Sequence, residues 1–108
     1  MEHNELICFQ IISAVGSAKS MYLEAMTEAK NGDFEKAAFL IEEGLDVYAK
    51  GHQYHAKLIQ QEARGEKTEI NLLLVHAEDQ MMSAETIKIM AEEFIMLYKK
   101  LTAFECAK

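Results

Sequence analysis

His76 stands at the end of the apolar run Leu72-Leu73-Leu74-Val75 and is followed by Glu78, Asp79, Gln80 and, one turn further on, Ser83. On a helix this spacing half-shields the imidazole and puts polar groups, Gln80 and Ser83, on its own face. An imidazole so placed can be a base, a metal ligand, a phosphoryl acceptor or a satisfied core histidine, and periodicity alone does not choose among them. Asp79 falls three residues after His76, in a second seam whose other members, Val75, Met82 and Ile89, are apolar. An isolated carboxylate in such a seam is costly unless it is paired, protonated or bound to a cation. Asp79 is therefore either a residue of a solvated face or a buried acid at an oligomer axis.

His52 and His55, also three apart, could chelate a metal with help from elsewhere. No Glu-x-x-His occurs, however, which removes the signature of the di-iron carboxylate bundles. Histidines on such a seam are more often core or interface groups. No Gly-rich phosphate loop, Gly-x-Ser-x-Gly elbow or His-Glu-x-x-His is present, so hydrolase, nucleotide-binding and zinc-protease readings lack support. Cys8 and Cys106, the two cysteines, have no metal-type spacing and read as reduced thiols.

The elements that position these residues are helical. The 108 residues contain no proline, and Gly32 and Gly65 sit in polar clusters that break the chain into three periodic stretches. Cys8, Ile11, Val15, Ala18, Tyr22, Ala25 and Ala29 share one face of the first stretch. Gly32 reads as a left-handed cap and Asp33 as the next N-cap. The second seam is read through Phe34, Ala38, Ile41, Leu45, Tyr48, His52, His55 and Ile59. The third stretch begins near Lys67 or Thr68 and runs through Leu73, His76, Gln80, Ser83, Ile87, Met90, Phe94, Leu97, Leu101 and Phe104. The expected fold is all-α: one domain over residues 1–108, an antiparallel up-down three-helix bundle with helices at about 3–30, 34–63 and 67–104. Helices of about 40–55 Å make such a bundle slender. Ile70 and Leu72 to Val75 cover nearly the whole circumference of the third helix, more than two neighbours can shield, so this helix is expected to mediate oligomerisation.

Composition narrows the partners. Eleven basic against eighteen acidic residues give a net charge of −7, with Arg64 the sole arginine, so nucleic acid is not expected. The acidic start and the lack of a sustained apolar run argue against a secretory signal and membrane insertion, and a cytoplasmic location is expected.

The segment Leu72 to Ser83, with Val75-His76-Ala77-Glu78-Asp79 at its centre, resembles the active-site signature of the enzyme IIA components of the lactose/cellobiose (chitobiose) family in the phosphoenolpyruvate-dependent sugar phosphotransferase system. Gly16-Ser17-Ala18-Lys19-Ser20 is similar to the family's Gly-x-Ala-Arg-Ser. Ala29 to Phe34 is similar to its Ala-Lys-x-Gly-Asp-Phe turn, and Lys57 to Gln60, Glu62, Ala63 and Gly65 to the end of its second helix. The resemblance implies a homotrimer. In it, His76 accepts phosphate from the phosphohistidine of the small carrier protein and passes it to a cysteine of enzyme IIB during uptake of a β-linked disaccharide. Asp79 would lie on the threefold axis around a divalent cation, magnesium, which suits hard oxygen ligands. The chain departs from the pattern at Glu78 (usually glutamine), Gln80 (usually histidine) and His55-Ala56 (usually Gln-Thr), so Glu78, Gln80, Ser83, His52 and His55 are expected to modulate the acceptor. Around such an axis Glu78 is expected to approach His76 of the next subunit. The alternatives are a helical interaction module, suggested by the tetratricopeptide-like Gly32 to Ala37, and a metal-binding helical bundle using His52, His55, His76 and Asp79.

Overall fold

Each of the two turns is built on a glycine in the left-handed region, Gly32 at φ 91° and Gly65 at φ 85°. At the first, the Gly32 amide bonds to the Ala29 carbonyl and the Asp33 amide to the Glu28 carbonyl, which closes α1, His3–Lys30. Asp33 then caps α2, Phe34–Ala63, its carboxylate accepting from the Lys36 amide at 3.0 Å. The computed structural model describes residues 2–107.

The third helix, α3, spans Leu72–Cys106, so it starts about one turn later than the periodicity places it. Asn71 sets the start: its backbone is extended and its side-chain oxygen accepts from the Leu74 amide at 2.9 Å, a capping bond that outweighs the helical pattern of the preceding residues. Residues 66–71 are non-helical as a result, and Ile70, 81% exposed, does not join the helix circumference.

Every member of the face read for α1 is buried, together with Ile7. This helix packs along both partners, whereas α2 and α3 touch each other sparsely. By length and apolar content α1 also qualifies as a membrane-crossing helix, against the expectation that no sustained apolar run is present; its buried face occupies the position of a core helix. The bundle measures 62 × 21 × 17 Å. Tyr22, fully buried in its middle, has its phenol pushed up to about 12, first by burial and then by Tyr48 and Glu92, so it stays neutral.

The seams of α2 and α3 differ from those expected. In α2 the buried residues are Ala37, Leu40, Ile41, Gly44, Gly51 and Leu58, so Ala38, Leu45, His52 and Ile59 turn outward. In α3 they are Ala77, Met81, Ala84, Ala91 and Ile95, while His76, Met90, Leu97, Leu101 and Phe104 are exposed. Small residues explain both rotations. A periodicity carried mainly by large apolar side chains passes over Gly44, Gly51, Ala77, Ala84 and Ala91, yet these permit the closest approach to α1.

Gly44 and Gly51 illustrate the point. A Cβ on Gly44 would lie 2.5 Å from Tyr22 Cε1, and one on Gly51 would lie 2.7 Å from Val15 Cγ1. Gly44→Ala should therefore destabilise the chain by about 1–2 kcal/mol in denaturant unfolding, overpacking exceeding the gain in helix propensity. Gly16→Ala, with nothing within 4 Å, should stabilise it by about 0.5–1 kcal/mol. Stabilisation by both substitutions would show that Tyr22 yields space freely.

Candidate functional site

His76 sits in the second turn of α3 on its exposed side. The immediate surroundings are apolar: Leu72, 84% exposed, and Leu73 line with it an open hollow of about 480 Å³. The half-shielded setting expected from the sequence is thus absent in the single chain, because the buried face of α3 centres on Ala77 and Met81, not on His76. Gln80 and Ser83 lie partly buried further along the helix, and among the described residues neither is hydrogen-bonded to the imidazole. Such a ring can be approached by a partner molecule.

The other predicted residues separate into two places. His52, His55 and Glu78 line a groove of about 470 Å³ between α2 and α3, floored by Leu45, Tyr48 and Met81. Here His55 Nε2 lies 2.5 Å from Glu78 Oε1. An ionised carboxylate only accepts, so Nε2–H donates. Glu78, for which a neighbouring chain's His76 is the expected target, thus has a partner within its own chain. This contact went unread in the sequence, although Glu78 and His55 are both positions where the chain departs from the family pattern. His52 lines the same groove and, like His55, does not line the hollow at His76.

Asp79 is exposed on the outward stripe of α3, between Val75 and Met82, with Ile89 and Met96 continuing the stripe. Among the described residues it takes part in no ion pair, and no group of three potential metal ligands exists within one chain. One carboxylate per chain fits a magnesium ion only where several chains bring theirs together. Cys8 is buried beside a separate small hollow that it lines with Glu5 and Leu74, and its thiol is pushed up by burial and then by the charges of Glu78 and Glu5. It therefore remains protonated, a poor nucleophile.

An accessible imidazole that, among the described residues, makes no hydrogen bond or ion pair suits a group-transfer step in which positioning does most of the work. The profile of a family described as PTS system, lactose/cellobiose-specific IIA subunit, matches residues 6–99. The chain belongs to this family. It is a IIA component of the lactose/cellobiose type in the sugar phosphotransferase system. This IIA chain is 48% identical over 101 residues to the lichenan-specific phosphotransferase enzyme IIA component of Bacillus subtilis (strain 168), covering 94% of this chain and 92% of that one. It is 35% identical over 96 residues to the lactose-specific EIIA component of Staphylococcus epidermidis, covering 89% and 92%. Among solved structures, the cellobiose-specific enzyme IIA of Bacillus anthracis superposes with a TM-score of 0.93 at 46% identity, over 95% of this IIA chain and 94% of that one. The IIA(chitobiose) of an N,N'-diacetylchitobiose IIA–HPr complex superposes with a TM-score of 0.83 at 28% identity, over 94% and 99%. The all-α three-helix architecture is common to them, and the outward stripe of α3 belongs to a fold in which two helices have left it uncovered.

Proposed function

We propose that this chain carries phosphate on His76. The carrier protein's phosphohistidine is the donor: its N–P bond breaks as one to the His76 imidazole forms. The phosphoryl group then moves to a cysteine sulfur of enzyme IIB, which phosphorylates a β-linked disaccharide of the lactose, cellobiose or chitobiose type during uptake. The observation that carries this reading is the exposed His76 beside an apolar hollow, in the Val-His-Ala-x-Asp setting of a IIA chain. A solved relative in complex with HPr supports a carrier protein as donor. Because nucleophile and leaving group are both imidazoles, the protein has mainly to orient the ring and present it in line.

The working form in this proposal is a homotrimer joined through the outward stripe of α3. The uncovered Val75, Met82, Ile89 and Met96 support it, since a water-facing apolar face of this extent marks an interface. Three Asp79 carboxylates would then face the axis and hold magnesium, with water completing its coordination. Its charge would offset their mutual repulsion. The location proposed is the cytoplasm, where the donor and its phosphoenolpyruvate source act.

The test is incubation with phosphoenolpyruvate, enzyme I and the carrier protein, followed by intact mass. A gain of one phosphate, lost again when enzyme IIB is added, is the expected result. A helical interaction module or a metal-binding bundle would gain none.

A further inference from the structure

The sparse contact between α2 and α3 is joined by two side-chain hydrogen bonds among the described residues. Tyr48 Oη donates to the Met81 carbonyl at 3.5 Å, at the weak limit of such a bond, while His55 Nε2 donates to Glu78 at 2.5 Å. The His55 side chain is 18% exposed and that of Glu78 45%, so a shielded imidazole holds a carboxylate that borders on solvent. Glu78 has three rotatable bonds, and without His55 its carboxylate would leave the groove.

Where it would go follows from the helix. Successive residues are rotated by about 100°, so Glu78 and His76 lie on opposite flanks of the direction in which Asp79 points. In the proposed threefold assembly, one flank of each α3 meets the other flank of the next, and a freed Glu78 carboxylate approaches the next chain's His76. Once His76 is phosphorylated, that carboxylate faces a group of about −1.5 to −2 charge and repels it.

We infer that His55 is a positioning residue for phosphate carriage: by holding Glu78 in the α2–α3 groove of its own chain, it keeps a carboxylate away from the phosphorylated His76. This rests on the phosphate-carrier and trimer readings above. His55 touches neither the phosphate nor its donor. The pair also joins two departures from the family pattern in one contact, His55 donating to Glu78.

The test compares wild type, His55→Ala, His55→Gln, Glu78→Gln and the double variant His55→Ala/Glu78→Gln, using intact mass to read the equilibrium between phosphorylated chain and phosphorylated carrier protein at low salt. His55→Ala should lower the equilibrium constant by about three- to tenfold, the range expected for one unit charge brought near the phosphate at intermediate dielectric. Glu78→Gln added to it should restore the wild-type value, because the restrained charge is gone. His55→Gln, which still offers an N–H donor, should stay within about twofold of wild type. An unchanged constant in His55→Ala overturns the inference. So does a loss that Glu78→Gln fails to relieve, because that pattern belongs to damaged packing. Circular dichroism on every variant shows whether the helices are intact. If wild type itself takes no phosphate, the carrier reading fails; if wild type is phosphorylated and His55→Ala matches it, only the role of His55 fails.

Discussion

His76→Ala is expected to take up no phosphate from the carrier protein while keeping the circular dichroism and unfolding midpoint of the wild type. The proposed acceptor nitrogen is lost outright, so the effect is total rather than graded. Stability should be spared because the ring is exposed and makes no hydrogen bond among the described residues, and surface substitutions of this kind usually change stability by less than about 0.5 kcal/mol. His52→Ala is the informative control, since His52 lies in the α2–α3 groove, apart from the hollow at His76. Phosphate retained by His76→Ala, or lost only in His52→Ala, would move the acceptor elsewhere.

Ile89→Asp is expected to convert the chain from a trimer to a monomer. Wild type should scatter light as about three times 12.3 kDa and the variant as a single chain. Ile89 lies on the outward stripe with Val75, Met82 and Met96, all at least half exposed in the single chain. Burying the remaining area of such residues contributes about 1–2 kcal/mol each, repeated in every chain. Placing three carboxylates among them instead exacts a desolvation cost of several kcal/mol per ion. Asp79→Leu should act in the opposite sense, leaving the trimer intact or tighter while weakening magnesium binding, since replacing clustered charges by apolar groups is often stabilising. A trimer that dissociates on Asp79→Leu would show that the cation holds it together. A monomeric wild type at micromolar concentration would remove the axis altogether.

The proposed acceptor is picked out by the residues around His76 because a signature is local: its members lie within one segment and keep their order whatever the helix packs against. The outward stripe is legible for a related reason, since Val75, Met82 and Ile89 repeat every seven residues on an uncovered surface.

Local chemistry also determined the bundle's main elements. The face of α1 from Cys8 to Ala29 is apolar and contiguous, and this helix is packed on from two sides, so sequence pattern and burial coincide. Gly32 and Asp33 likewise specify their turn, because a left-handed backbone and a capping carboxylate act within a few residues. The start of α3 was decided by Asn71, whose extended backbone and capping bond end a pattern that by itself continues to Lys67. Tertiary structure alone decided the rotations of α2 and α3. Gly44 and Gly51 lie on the buried face because Tyr22 and Val15 need the room, and Ala77, Ala84 and Ala91 let α3 lie close to α1. Small residues carry little hydrophobic signal, and their importance arises only from the shape of the opposing helix. The same rotations turned His76 outward and brought His55 to Glu78, 23 residues apart in the chain. A contact between two helices depends on their relative rotation and axial shift, which neither helix encodes without the core between them.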